Sequence, residues 1–210
     1  MKSVAGGRAK PVSSPWILYS WGNNGLYRGS DASGVSGDVA TFSFPVDVGN
    51  TAYPAFLTTT TVQAVLGNLT GKALLANLTI SDVAGTTYRY GGQGTWNLGS
   101  LPANVRLFIS TSAAVYNLND AQQNEDSYWW SQVAWAQVQN GTFTLTDTFD
   151  PAHWSNAQGH LASDRLAAFQ AVVANVRQIG ASFGGGNFFD VGVALLSGQS
   201  TFHLHSYTAQ

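Results

Sequence analysis

Residues 163–186 read Ser-Asp-Arg-Leu-Ala-Ala-Phe-Gln-Ala-Val-Val-Ala-Asn-Val-Arg-Gln-Ile-Gly-Ala-Ser-Phe-Gly-Gly-Gly, and they hold both kinds of secondary structure the chain can use. Leu166, Phe169, Val172, Val173 and Val176 recur at three- and four-residue steps, the spacing of one apolar helix face. Ser163 stands where it can cap that helix, and Asp164 falls in its first turn, where a carboxylate favours the helix dipole. The spacing predicts a helix over residues 163–176, with Leu166 among its buried residues. From Val176 to Phe183 the pattern is extended, and Gly184, Gly185 and Gly186 break it.

Working outward, the rest of the chain alternates with a period of two. Phe42 and Phe44 share a face between Val39 and Val48. Leu74, Ala76, Leu78 and Ile80 do so between Ala73 and Ile80, as do Phe143 and Leu145 between Thr142 and Thr146. Further strands are expected at Pro15 to Tyr19, Phe56 to Leu66, Thr86 to Tyr90, Arg106 to Ser110 and from Tyr128 on. Tyr27 to Asp38 reads as a Gly/Ser-rich loop. Gln139-Asn140-Gly141 reads as a hairpin turn, because Asn-Gly takes positive φ readily. Many short strands and one helix predict an all-β, jelly-roll-like sandwich of two antiparallel sheets, with the helix packed across one end. Residues 13–210 are expected to form one domain. Residues 1–12 are expected to be a disordered tail or a cloning remnant, since they carry Lys2, Arg8 and Lys10 but no apolar core of a signal peptide.

Only 10% of the 210 residues are charged, against a usual ~25%, and Gly, Ser and Thr are abundant. Hydroxyls rather than ions are therefore expected on solvent-facing strands. A net charge of −2 gives no footprint for nucleic acid or for an anionic membrane surface. No apolar run reaches the ~18 residues of a membrane span. The chain has no cysteine, which excludes disulfides and thiolate metal sites. A low-charge β protein rich in Thr, Asn and Trp points to a secreted, extracellular setting, with any leader removed upstream.

Asp147, Asp150 and His153 could do general acid–base chemistry. Their place in an Asp-x-x-Asp-Pro turn favours backbone capping instead. His203 and His205 share one face of the last strand, a spacing compatible with a metal, but no third ligand stands at matching spacing. No nucleophile elbow, zincin motif or phosphate loop occurs. Seven tryptophans is a high count. Adjacent Trp129 and Trp130 must point to opposite faces of their strand, so one of them leaves the inner face. An outward indole is a stacking platform for a sugar ring, and Tyr128 and Arg106 are the expected neighbours. The alternative is that the outward ring is covered by a loop such as Tyr116 to Asp126.

The segments Ala40 to Pro45, Trp129-Trp130, Asp150 to Trp154 and Phe169 to Gly180 together resemble laminin domain IV and the galactose-binding-like sandwiches that include many carbohydrate-binding modules. Asn175 to Phe189 resembles secreted bacterial proteins of unassigned function that often bear a Pro-Glu-Pro-type sorting tail. The chain departs from those bacterial proteins in having no cysteine near Asn187 and no sorting tail before Gln210, so surface anchoring is not expected. The resemblance implies a sandwich that binds a polysaccharide or other glycan. It also implies room for one structural calcium, for which Asp147, Asp150 and Asp190 are the available acids. The expectation is a non-catalytic glycan-binding protein. The alternatives are a self-assembling extracellular component, or a polysaccharide hydrolase or lyase using Asp147, Asp150 and His153.

Overall fold

The computed structural model describes residues 14–22, 25–34, 37–49, 51–90, 102–116, 123–185 and 192–210. The expected tail, the glycine cluster from Gly91 to Gly94, and Gly186, Asn187 and Asp190 lie outside these residues. Thirteen strands are described: β1 (Ile17–Gly22), β2 (Gly25–Asp31), β3 (Ala40–Ser43), β4 (Tyr53–Thr59), β5 (Ala73–Asp82), β6 (Thr87–Tyr90), β7 (Asn104–Ser110), β8 (Tyr128–Gln137), β9 (Gly141–Thr148), β10 (Trp154–Asn156), β11 (Gln178–Gly184), β12 (Val193–Ser197) and β13 (Ser200–Ala209). One helix, α1 (Leu166–Val173), stands among them.

The chain is an all-β sandwich. A seven-stranded antiparallel sheet runs β10-β8-β7-β11-β4-β1-β2, and a four-stranded one runs β3-β13-β5-β9. A small third sheet, which the sequence did not foretell, pairs β12 with β6. The inner faces meet in one core. The four-stranded sheet contributes Leu74, Ala76, Leu78, Ile80, Phe202 and Leu204 to it, and the seven-stranded sheet contributes Leu57, Val105, Leu107, Ile109, Trp129, Ile179 and Phe183. Phe42, Phe183 and Phe202 pack there ring to ring at 5.1–5.4 Å. In the middle of the larger sheet a Cβ at residue 180 would collide with the carbonyl oxygen of Leu57, so only glycine lets β4 and β11 pair there.

The helix lies across one end, as its apolar face requires, but it is shorter than the spacing suggests. It spans eight residues, Ser163 makes no capping bond, and Arg165 occupies the cap position. Phe169, Val172 and Val173 are buried on it and Val176 just beyond it, whereas Leu166 is 43% exposed. The reason is that Ser163, Asp164 and Arg165 are spent in turns, with backbone N–H groups bonded to Pro151, Leu161 and Ala162 carbonyls. Two other expectations also change. Residues 27–31 belong to β2, paired with β1, instead of a loop. Asn140-Gly141 is not a hairpin within one sheet, because β8 and β9 lie in different sheets. The turn is a corner of the sandwich, where Asn140 Oδ1 accepts a bond from the Asp82 N–H at 3.1 Å.

Candidate functional site

The expected stacking site does not form where it was placed. Trp129 and Trp130 do point to opposite faces, and both are fully buried. Trp129 enters the central core, where it meets Phe169 at 5.1 Å, and its Nε1 donates to the Asp126 carbonyl at 2.8 Å. Trp130 belongs to a second cluster on the outer face of the seven-stranded sheet, with Phe56, Phe108, Val115, Tyr116, Tyr128 and Ala157. Its ring lies 5.0 Å from Phe108 and 6.1 Å from Tyr116. Val115, Tyr116 and Ala157 therefore cover this ring, and residues 117–122 of the expected covering loop lie outside the described residues. Tyr128 and Arg106 are 2% exposed and are likewise unable to present a platform.

Among the described residues the exposed tryptophan is Trp135, 42% exposed. Its direction depends on an irregularity in β8. Phe108 pairs with Trp130, but Arg106 pairs with Trp135, so four residues of β8, 131–134, stand against the single residue Leu107. Three residues are thus extra, and an odd number inverts the alternation of everything after them. Ala134 and Ala136 accordingly turn into the core, and Val133, Trp135 and Gln137 turn outward. In a regular strand Trp135 would share the inner face with Trp129.

A buried polar group fixes this irregularity. Ser131 Oγ accepts the N–H groups of Val133 (3.3 Å) and Ala134 (2.8 Å), which closes the extra turn of backbone. The same hydroxyl donates to Asp147 Oδ2 at 2.5 Å, and His153 Nδ1 lies 2.8 Å from Asp147 Oδ1. Asp147 is 4% exposed, and burial pushes its carboxyl above the usual carboxylate range despite the hydrogen bonds from Ser131 and His153. Nucleophilic catalysis needs the hydroxyl on the imidazole. Here hydroxyl and imidazole hold separate oxygens of one carboxylate, an arrangement that positions backbone. Asp150 behaves as the turn motif suggests: its Oδ1 accepts the Ala152 N–H at 2.9 Å and caps a short 3₁₀ turn at Pro151–His153.

His203 and His205 do share a face, and their third partner is Asp38, which sequence spacing could not supply. His203 Nδ1 lies 2.8 Å from Asp38 Oδ2 and His205 Nδ1 2.6 Å from Asp38 Oδ1, with the two rings stacked at 6.3 Å. His205 Nε2 continues to Thr79 Oγ1 at 2.8 Å, and Thr79 to Thr142 at 2.9 Å. Desolvation raises the Asp38 carboxyl, but the bonds from His203, His205 and Thr41 outweigh it and hold the group below its ordinary range. The imidazoles clamp a carboxylate and do not converge on a cation. Among the described residues, no group of three or more His, Asp or Glu side chains is placed to hold a metal ion. Among the same residues, no helix is long and apolar enough to cross a membrane.

Comparisons with protein-family models, with curated proteins and with solved structures give no match to this chain.

Proposed function

We propose that this protein is a non-catalytic glycan-binding sandwich that works outside the cell, with Trp135 as its stacking platform in place of Trp129 and Trp130. The observation that carries the reading is the exposure of Trp135, the one aromatic among the large apolar side chains exposed in the described residues. An indole face standing on a strand packs against the C–H face of a sugar ring. Val133 beside it widens the apolar surface, and the exposed amide of Gln137 supplies a neutral donor and acceptor for hydroxyls, while the Gln132 Nε2 donates to Ser155 Oγ at 2.6 Å. The strand is held by the Ser131–Asp147 bond, so little ordering cost falls on binding. A hydrolase or lyase built on Asp147, Asp150 and His153 has weaker support, because the first and second of these already serve Ser131, His153 and Ala152.

The test is affinity electrophoresis through gels containing neutral polysaccharides (a β-glucan, a xylan, a galactomannan), followed by titration calorimetry on whichever retards migration. A dissociation constant on the order of 0.01–1 mM is expected, nearly independent of salt. Trp135→Ala should weaken binding at least about tenfold while leaving stability within about 0.5 kcal/mol, as for other exposed side chains. Retardation that survives Trp135→Ala unchanged, or retardation by no neutral polysaccharide, overturns the reading. Release of reducing ends would favour the enzyme, and concentration-dependent light scattering without glycan the self-assembling component.

A further inference from the structure

Away from Trp135, the helix end of the sandwich contains a cavity of about 360 Å³. Its lining is Phe149, Pro151, Phe169 and Val173, with Thr70, Gly71, Gln170 and Ala174 around them. Phe169 and Val173 are buried and form the floor, whereas Thr70, Gly71, Gln170 and Ala174 are exposed and form the mouth. The aromatic wall is stiff. Trp154 stacks on Phe149 at 5.6 Å and 24°, meets Phe169 at 6.0 Å, and anchors its own Nε1 on the Thr148 carbonyl at 3.0 Å.

From these facts we infer that the cavity is a binding site for a small uncharged molecule with an aromatic or alicyclic ring and one or two hydrogen-bonding groups. Volume comes first: sites for small ligands fall at about 300–1,000 Å³, and this cavity lies within that range. Charge is the second point. Among the described residues no Asp, Glu, Lys, Arg or His lines the space, so an ion entering it would lose hydration and gain no partner from them. The third point is the division of the lining. Two phenyl rings, a proline and a valine face a ring, while the Thr70 hydroxyl and the Gln170 amide stand at the mouth, where a polar substituent would emerge. A wholly apolar hydrocarbon would leave the mouth groups unused, and a polyol would strip its hydroxyls against the floor. The site is independent of Trp135, which belongs to the outer face of β8.

The probe is 4-methylphenol, with cyclohexanol as its alicyclic counterpart and benzoate and cyclohexylamine as charged controls, followed by ligand-observed NMR and by amide shifts of the labelled protein at pH 7. Binding of both neutral probes with a dissociation constant of about 1 mM is expected, a fair efficiency for so few atoms. Shifts should centre on Thr70, Gln170 and Ala174. Ala174→Phe puts a ring into the mouth and should cut affinity at least about tenfold. Gln170→Ala should weaken 4-methylphenol by about threefold. Trp135→Ala should change nothing here, which separates this outcome from failure of the glycan reading. Should Ala174→Phe not fold, Thr70→Phe, in an exposed turn, blocks the same mouth. The inference is overturned if neither neutral probe binds below 10 mM (roughly tenfold weaker than expected), if the charged controls bind as well, or if the shifts lie elsewhere.

Discussion

On the outer face of the seven-stranded sheet, Phe56, Phe108, Tyr128 and Trp130 lie buried beneath Val115, Tyr116 and Ala157. The outer face of the four-stranded sheet instead turns Asn77, Thr79, Thr142, Thr144, Thr201 and His205 toward solvent. Its side chains bond to one another across strands: Thr79 to Thr142, Asn77 to Ser206, Thr144 to Asn77 and Ser43 to Thr201. Both faces follow from the same period of two, yet one is a second core and the other a hydroxyl lattice. The difference lies in what covers each. Alternation says which side chains share a face; a covering segment decides whether that face is wet. A function that needs an exposed ring must therefore use a position that the cover leaves open, which on β8 means the segment beyond the inverted alternation.

The largest test of this contrast is truncation on each face. Trp130→Ala removes a fully buried ring and should cost about 3–5 kcal/mol in urea unfolding. Thr142→Ala, on the open face, should cost less than about 0.5 kcal/mol. Equal losses would mean that the two faces are not different in kind, and a loss below about 1 kcal/mol for Trp130→Ala would mean that the cover is not packed.

The sandwich itself was legible. Leu74, Ala76, Leu78 and Ile80 alternate with Leu75, Asn77, Thr79 and Ser81, a pattern that only a one-sided strand gives, and the structure buries the first set. The second core had a weaker signal: Tyr128-Trp129-Trp130 has no polar alternate, the mark of a strand covered on both sides. What stayed illegible was long-range. Asp38 meets His203 and His205 across 165 and 167 residues of chain. The inversion at residues 131–134 depends on Ser131 meeting Asp147, and a run such as Ser-Gln-Val-Ala gives no local sign of it. For that reason regular alternation would put Trp135 on the face of Trp129, which the structure buries. The helix boundary is illegible for a related cause, since Ser163 and Asp164 look like a cap until the Pro151 and Leu161 carbonyls claim their backbone N–H groups.

A middle-sized effect should come from the group that sets the alternation. Asp147→Ala leaves the Ser131 hydroxyl and the His153 Nδ1 without their acceptor and should cost about 1–3 kcal/mol. Trp135 fluorescence should shift at the same time if the inversion relaxes. The acid response has a definite sign. The Asp147 carboxyl is raised above its ordinary 3.8, so the stability it contributes is full below that value and is lost as pH rises through the raised one. Asp147→Asn cannot ionise, so it should gain on the wild type as pH rises above about 4. A stability difference that is flat from pH 3 to 7 would show that burial does not govern this carboxylate.

The smallest effect belongs to Asp38, and it should run the other way. This carboxylate also bonds to imidazole nitrogen, but it sits at the rim of the open face, and its pKa is lowered. The stability it adds is therefore present above 3.8 and is lost as pH falls through the lowered value. With His205 itself exposed, water screens the pair, and the whole contribution should stay below about 1 kcal/mol. Asp38→Asn should accordingly trail the wild type by that small margin at pH 5. The gap should close between about pH 4 and pH 2 as the wild-type carboxylate takes up its proton. Salt should shrink the gap at pH 5 as well, whereas it should leave the cost of Asp147→Ala nearly unchanged, since screening acts mainly on exposed charges. If Asp38→Asn instead gains on the wild type with rising pH, as Asp147→Asn is expected to do, then desolvation wins at both carboxylates and the open face is drier than its hydroxyls suggest.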